Sequence, residues 1–300
     1  MEHPKNGKII AFYNRKGGVG KTTLSGNFAA LLAKLKRREG KTVMYLDLDS
    51  QSNAATTYLG YNKEDLLKPA DSYPNILNLV GIDAPSLNIK LPKLPLKSIV
   101  SRTNLNLWTI PPHGDMELYW KKTPSYEDNY SVFVAPFSNL RKNFDYIVID
   151  LPPAQDDMTI SALAASDYLI IPVDSDSKSV DSISRLSTEF IPIFKDINPD
   201  FTVLGIVANK FDRYDDAFYE TVLKSLCKEN GISLYKTKIR TSAGLKDPNN
   251  RHEGYFKNLR ARSKLDRCVV AFDDFIFKTY PKAYEDIKKF TEETLKKMGE

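Results

Sequence analysis

The stretch NRKGGVGKTT, residues 14–23, packs three glycines and two lysines into ten positions. Gly17, Gly18 and Gly20 let a backbone curl closely around a phosphate. The exposed N–H groups of such a loop, with a helix N-terminus behind it, attract the anion. Lys21 then supplies a point charge to the β- and γ-phosphates, and Thr22 a hydroxyl to Mg²⁺, with Val19 and Thr23 completing the cradle. A glycine-rich turn that merely joins strand to helix is the plainer alternative. Carboxylates fall at two further strand ends. Asp150 closes an apolar run, where a lone charge is costly to bury unless it meets a cation or water, and Mg²⁺ coordination accounts for it. Asp47 and Asp49 close another run and, two residues apart, share one face of it. Capping of the following helix is the alternative for this pair, and it weighs more for Asp47.

These residues need rigid elements behind them. IIAFYN (9–14), TVMYLDLD (42–49), LNLWTIP (105–111), FDYIVIDLP (144–152), DYLIIPVD (167–174) and FTVLGIVANK (201–210) read as buried strands. Helical spacing lies between most of them, as in TTLSGNFAALLAKLKRR (22–38), where Leu24, Phe28, Leu31, Leu32 and Leu35 recur on one side. Near-continuous apolar strands alternating with helices predict an α/β fold with a mostly parallel central sheet and helices on both faces. The P-loop motif sits between the first strand and the first helix, as it must.

Residues 60–104 break the rhythm with five prolines, which argues against long elements there, though NILNLV (75–80) suits a short helix. The tail, 270–299, reads as two helices about Pro281, with Ile287, Phe290, Leu295 and Met298 on one face. No linker or repeat divides the chain, so residues 1–300 are expected to form one domain. No helix-turn-helix extension is expected before the P-loop.

The bulk numbers agree with such a fold. The chain has 300 residues, 42% of them hydrophobic and 27% charged, enough to bury a large core and too apolar for a disordered chain. Cys227 and Cys268 are far apart and lack metal-ligand spacing, which fits a reducing compartment. No apolar run reaches the roughly 18 residues of a membrane span. A cytoplasmic protein is expected.

The loop departs from G-x-x-x-x-G-K-[ST], because Arg15 stands where the first glycine belongs. KGGVGKT instead resembles the deviant P-loop of the ParA/MinD ATPases. YLDLDSQSNAATTYLG (45–60), FDYIVIDLPPA (144–154) and SDYLIIPVD (166–174) resemble further segments of ParA proteins, in the same order. Ser50 and Ser52 stand where that family often has Pro and Gly, and Leu151 where it has Thr or Cys. The resemblance implies a P-loop ATPase using ATP and Mg²⁺. It assigns Asp49 to orienting the attacking water and Asp47 to the Mg²⁺ shell. It assigns Lys16 to the nucleotide of the partner subunit, so that two protomers close on two ATP molecules and hydrolysis releases them. Without the family motif, Lys16 would be an ordinary solvated lysine. ANKFD (208–212) is similar to the Asn-containing base-recognition loops of P-loop proteins, which offers the Asn209 amide to adenine; a strand-end turn is the alternative.

The positive charge is concentrated. Residues 236–267 hold ten basic residues, Lys236, Lys238, Arg240, Lys246, Arg251, Lys257, Arg260, Arg262, Lys264 and Arg267, against Asp247, Glu253 and Asp266. That segment carries +7 in a chain of net +5, so the remainder sums to −2. Such a face would hold phosphate backbone without reading sequence; a solvated basic loop is the alternative. Together with the resemblance, this leads to a nucleoid-associated partition ATPase that binds nonspecific DNA as an ATP-bound homodimer and is released by a ParB-like activator. A ParA-like ATPase positioning a protein assembly and a MinD-like membrane-surface ATPase are the alternatives. Acidic residues interspersed with the lysines of the tail argue against the membrane form.

Overall fold

The computed structural model describes residues 6–57, 61, 63–102, 107–121, 133–242, 245 and 280–300. Seven strands form the main sheet: β1 (Lys8–Phe12), β2 (Val43–Asp47), β5 (Ser101–Arg102), β6 (Leu107–Thr109), β7 (Tyr146–Asp150), β8 (Tyr168–Val173) and β9 (Thr202–Ala208). Their order is β5-β6-β2-β7-β1-β8-β9. Six run parallel, and β5 pairs antiparallel with β6 at one edge. The expected α/β sheet is therefore present, with one antiparallel edge strand that spacing did not reveal. Residues 60–104 carry only short elements, including a helical turn at Leu77–Val80 and a hairpin of β3 (Ile82–Ala84) and β4 (Ile89–Leu91).

Side-chain alternation gives the sheet two buried faces. Ile9, Ala11, Met44, Leu46, Ile147 and Ile149 point into one core. Ile10, Phe12, Val43, Tyr45, Tyr146 and Val148 point into the other. The first face is covered by α3 (Val134–Asn143), α4 (Asp157–Ala164), α5 (Ser177–Arg185), α6 (Ile191–Ile197) and α7 (Lys224–Glu229). The second is covered by α1 (Lys21–Lys36), α2 (Asn53–Thr57) and α8 (Pro281–Lys297). Pro281 occupies the first turn of α8, where its missing N–H costs nothing, so it starts the helix. Ile287 and Phe290 of α8 are buried against α1, and Met298 just beyond it is buried too; Leu295 is half-buried. Phe12, Phe28 and Phe290 pack ring to ring at 5.5–6.3 Å and fasten α1, and thus the P-loop, between β1 and α8.

Two of the basic residues assigned to DNA lie within the described part, and both are anchored to this chain's own groups. Arg240 clasps the buried Asp286 of α8 in a two-pronged pair, Nε to Oδ2 at 2.8 Å and Nη2 to Oδ1 at 2.6 Å. Lys238 pairs with Asp216 at 2.7 Å, with its ammonium 3.9 Å from the Tyr219 ring centroid. Arg240 is thereby a structural clamp between the β9 side of the sheet and α8, a role its place in a charge run did not show. Lys246, Arg251, Lys257, Arg260, Arg262, Lys264, Arg267 and Cys268 lie outside the described residues, as does the proposed first tail helix.

Arg240→Ala leaves the Asp286 carboxylate without its clamp, and a loss of about 2 kcal/mol in urea unfolding is expected. Arg240→Lys is expected to recover only part of this, because an ammonium cannot bond both oxygens in the same fork.

Candidate active site at the carboxyl edge of the sheet

The parallel strands deliver their C-terminal ends to one edge, where open α/β sheets bind ligands. β1 leads through Tyr13 and Asn14 into the P-loop. Gly18 (φ +79°) and Gly20 (φ +84°) adopt left-handed backbone, and Gly20 caps α1 directly. A Cβ on Gly20 would also lie 2.4 Å from Asn209 Nδ2, so glycine is required there twice over. Asn14 is the loop's buried brace. Its Nδ2 donates to the Pro172 carbonyl at 2.8 Å, and its Oδ1 accepts from Lys16 N–H at 2.9 Å and from the Ser182 hydroxyl at 2.7 Å.

The two lysines of the loop part company. Lys21 is buried, and its Nζ donates back to the carbonyls of Asn14 (3.0 Å) and Lys16 (3.2 Å), inside the loop. Burial pushes its pKa down, with Asp150 and Asp49 opposing. Lys16 turns the other way, to the end of β8. Its Nζ is 2.8 Å from Asp174 Oδ1 and 3.0 Å from Asp176 Oδ2. Asp174 also accepts from Ser179, and Asp176 caps α5 through Lys178 N–H. Neither aspartate was singled out from sequence. Their signal was position alone, Asp174 being the first residue beyond the apolar run of β8. Beside Lys16 lies an open pocket of about 550 Å³, whose lining includes Arg15, Lys178 and Arg185.

On the other side of β1, β7 and β2 bring up the carboxylates. Asp150 is opposite Phe12 on one neighbouring strand and opposite Asp47 on the other. It is fully buried, and neither carboxylate oxygen meets a hydrogen-bond partner of ordinary geometry among the described residues. Burial pushes its pKa up to about 7, against the lowering influence of Thr22 and Lys21. A buried, unpartnered carboxylate beside a threonine hydroxyl at the mouth of a phosphate loop fits a hard divalent cation with oxygen ligands. Asp150 and Thr22 are the residues that would hold Mg²⁺.

Asp47 differs. Its Oδ1 accepts from Asp49 N–H at 3.2 Å and its Oδ2 from Ala55 N–H at 3.0 Å. It therefore makes the capping contact to α2 that was the alternative reading of this residue. Burial, and then the charge of Asp150, raise its pKa well above the ordinary carboxylate range. Asp49 lies just past the end of β2, half-buried, where its Oδ1 accepts from Gln51 N–H at 2.9 Å. Ser52 follows with φ +52°, which explains why glycine suits that position in the related segment. Asn209, at the end of β9, donates through Nδ2 to Val19 O of the P-loop at 2.8 Å. The P-loop, Asp47, Asp49, Asp150 and Asn209 thus converge on one edge.

A family model described as "AAA domain" matches residues 7–203, more than half of the chain. The sporulation initiation inhibitor protein Soj of Bacillus subtilis is 32% identical over 244 residues, covering 80% of this chain and 87% of the relative. The chain belongs to the ParA/Soj family of P-loop ATPases. Among solved structures, the ATP complex of a substituted McdA from Cyanothece superposes with a TM-score of 0.67 at 22% identity, covering 97% of both chains. The pNOB8 ParA bound to nonspecific DNA superposes at 0.62 and 18% identity, covering 98% of this chain and 99% of that one. At such identities these two speak for a shared fold of the ParA/Soj type.

The Asp150 charge carries a measurable cost. With a native pKa near 7, above the ordinary value near 3.9, this group makes the nucleotide-free protein lose stability as pH rises from about 4 to 7. Asp150→Asn is expected to melt above the parent at pH 8, with the gap narrowing as pH falls toward 4, and to abolish Mg²⁺-dependent turnover. Melting curves over that pH range and phosphate-release assays check both.

Proposed function

We propose that the chain is an ATP-driven partition switch: it hydrolyses ATP to ADP and phosphate, and closes as a homodimer around two nucleotides. The observation that carries this reading is the divergence of Lys16 and Lys21. Lys21 lies within its own phosphate loop, ready to exchange the Asn14 and Lys16 carbonyls for phosphate oxygens. Lys16 faces away from that cradle, beside a pocket whose lining sets Arg15, Lys178 and Arg185 against a single carboxylate, Asp181. A cationic face of this kind suits the phosphates of a second protomer, stabilising their charge only when the dimer closes, as an arginine finger does. Closure must then break the pairs to Asp174 and Asp176.

The remaining residues divide the work. Backbone N–H groups from Gly17 to Thr23 and the N-terminus of α1 hold the phosphates. Thr22 and Asp150 would hold Mg²⁺, which would supply charge neutralisation for the phosphates. Asp47 shapes the loop that presents Asp49, and Asp49 orients the attacking water. Asn209 meets the base from beyond the P-loop. The basic stretch that begins at Lys246 and ends at Arg267 gives the dimer a phosphate-binding face for nonspecific DNA, and a ParB-like, DNA-bound activator triggers hydrolysis and release. Membership of the ParA/Soj family supports the ATPase part of this reading, and the pNOB8 ParA complex with nonspecific DNA supports its DNA-binding part.

Lys21→Ala is expected to lower ATP affinity at least tenfold. Lys16→Ala should bind ATP normally but remain monomeric and inactive, and Asp49→Ala should dimerise with ATP and stay closed. Nucleotide titration, light scattering on a sizing column and phosphate release separate the three. A Lys16→Ala protein that dimerises and turns over like the parent contradicts the sandwich. In a salt series, DNA retention is expected with ATP and not with ADP, falling steeply as salt rises. Equal retention with both nucleotides contradicts the switch.

A further inference from the structure

Lys16 is held at both ends, and one helix stands behind both holds. Its ammonium pairs with Asp174 and Asp176 in the turn between β8 and α5. Asp174 is itself fixed by the Ser179 hydroxyl of α5, at 2.6 Å. The backbone N–H of Lys16 donates to Asn14 Oδ1 at 2.9 Å, and the same oxygen accepts from the Ser182 hydroxyl of α5 at 2.7 Å. Ser179 and Ser182, three residues apart, share one side of α5. One serine thus steadies the side chain of Lys16 through an aspartate, and the other steadies its backbone through an asparagine.

The two holds meet different fates when a dimer closes. The ammonium has to leave Asp174 and Asp176 to reach phosphates on the other protomer. The backbone hold has no such reason to break. Asn14 is 1% exposed, its Nδ2 donates to the Pro172 carbonyl of β8, and its own carbonyl accepts from Lys21 Nζ. Its amide cannot flip without losing the bonds to Pro172, Lys16 and Ser182 together. A hydroxyl has a single hydrogen to give, and a serine in a helix can give it to the carbonyl one turn back. Ser182 gives it instead to a residue 168 positions away. Ser182 also lines the pocket beside Lys16, on the same helix as Lys178, Asp181 and Arg185.

We propose that Ser182 is a positioning residue for ATP hydrolysis: through Asn14 it fixes the point from which Lys16 swings out to the partner's nucleotide. Without the Ser182 donor, the Asn14 oxygen keeps only the Lys16 N–H, and the rim of the loop turns more freely. The Lys16 ammonium then loses orientation at the step where orientation counts. Lys21 is spared. It exchanges the Asn14 carbonyl for phosphate when nucleotide enters, so binding in the protomer's own loop does not depend on Ser182.

This inference rests on the role of Lys16 proposed above, and phosphate release at saturating ATP, set beside ATP titration of the full chain, separates the two. Ser182→Ala is expected to lower turnover about 3- to 10-fold, the worth of one hydrogen bond, while ATP affinity, the internal check on folding, stays within about twofold of the parent. Ser182→Thr keeps the hydroxyl and should return turnover to within about twofold of the parent. Unchanged turnover in Ser182→Ala, a loss of ATP affinity as large as the loss of turnover, or a Ser182→Thr protein as slow as Ser182→Ala overturns the role of Ser182. A Lys16→Ala protein that turns over like the parent overturns the underlying reading of Lys16 instead.

Discussion

The Asp150 carboxylate, buried with no hydrogen-bond partner of ordinary geometry among the described residues at the end of β7, is the constraint around which this edge of the molecule is organised. Two more carboxylates, Asp47 and Asp49, stand beside it on the next strand and its loop. Crowding and burial of these carboxylates raise the pKa values of Asp150 and Asp47, a cost that an entering cation would relieve. Lys21 supplies part of that balance from across the strand pair, and its own burial leaves it short of solvent. The glycines of the P-loop and the N-terminus of α1 add N–H groups without adding side chains. Anion and cation together satisfy what each half of the site leaves open. The stability sacrificed in the empty protein is the counterpart of affinity in the loaded one.

From the same strand end, the two lysines of one loop are sent to different tasks by their neighbours. Asn14 braces the loop between β8 and α5, and the aspartates between those two elements take Lys16. Lys21, five residues on, begins α1 and points back into the curl. A single turn of chain thus serves an inner and an outer surface. The outer one borders Arg15, Lys178 and Arg185, so the positive charge of the chain is not confined to the basic stretch before α8.

Much of this was legible in residue order. The six parallel strands announce themselves as apolar runs because both faces of the sheet are buried, and the P-loop follows from glycine spacing between a strand and a helix. Asp150 was readable because a charge at the end of such a run demands a reason. Asp174 and Asp176 were not, since nothing in their spacing distinguishes them from ordinary strand-end and cap residues; only the turn of the loop brings Lys16 to them. Arg240 was hidden for the opposite reason. It sits in a run of positive charge that suggests one collective role, while its partner Asp286 is 46 positions away on α8. Long-range pairs of this kind leave no periodic trace. The antiparallel edge strand β5 is two residues long and carries no alternation to read.

The central claim is that each catalytic site takes Lys21 from one protomer and Lys16 from the other. Mixing the two inactive proteins, Lys16→Ala and Lys21→Ala, tests it most directly. In a mixed dimer, the Lys16→Ala protomer keeps its own Lys21 and receives Lys16 from the Lys21→Ala protomer, so one site is whole. Random pairing predicts that phosphate release returns to as much as about a quarter of the parent rate. A mixture as inactive as its two components would contradict the claim.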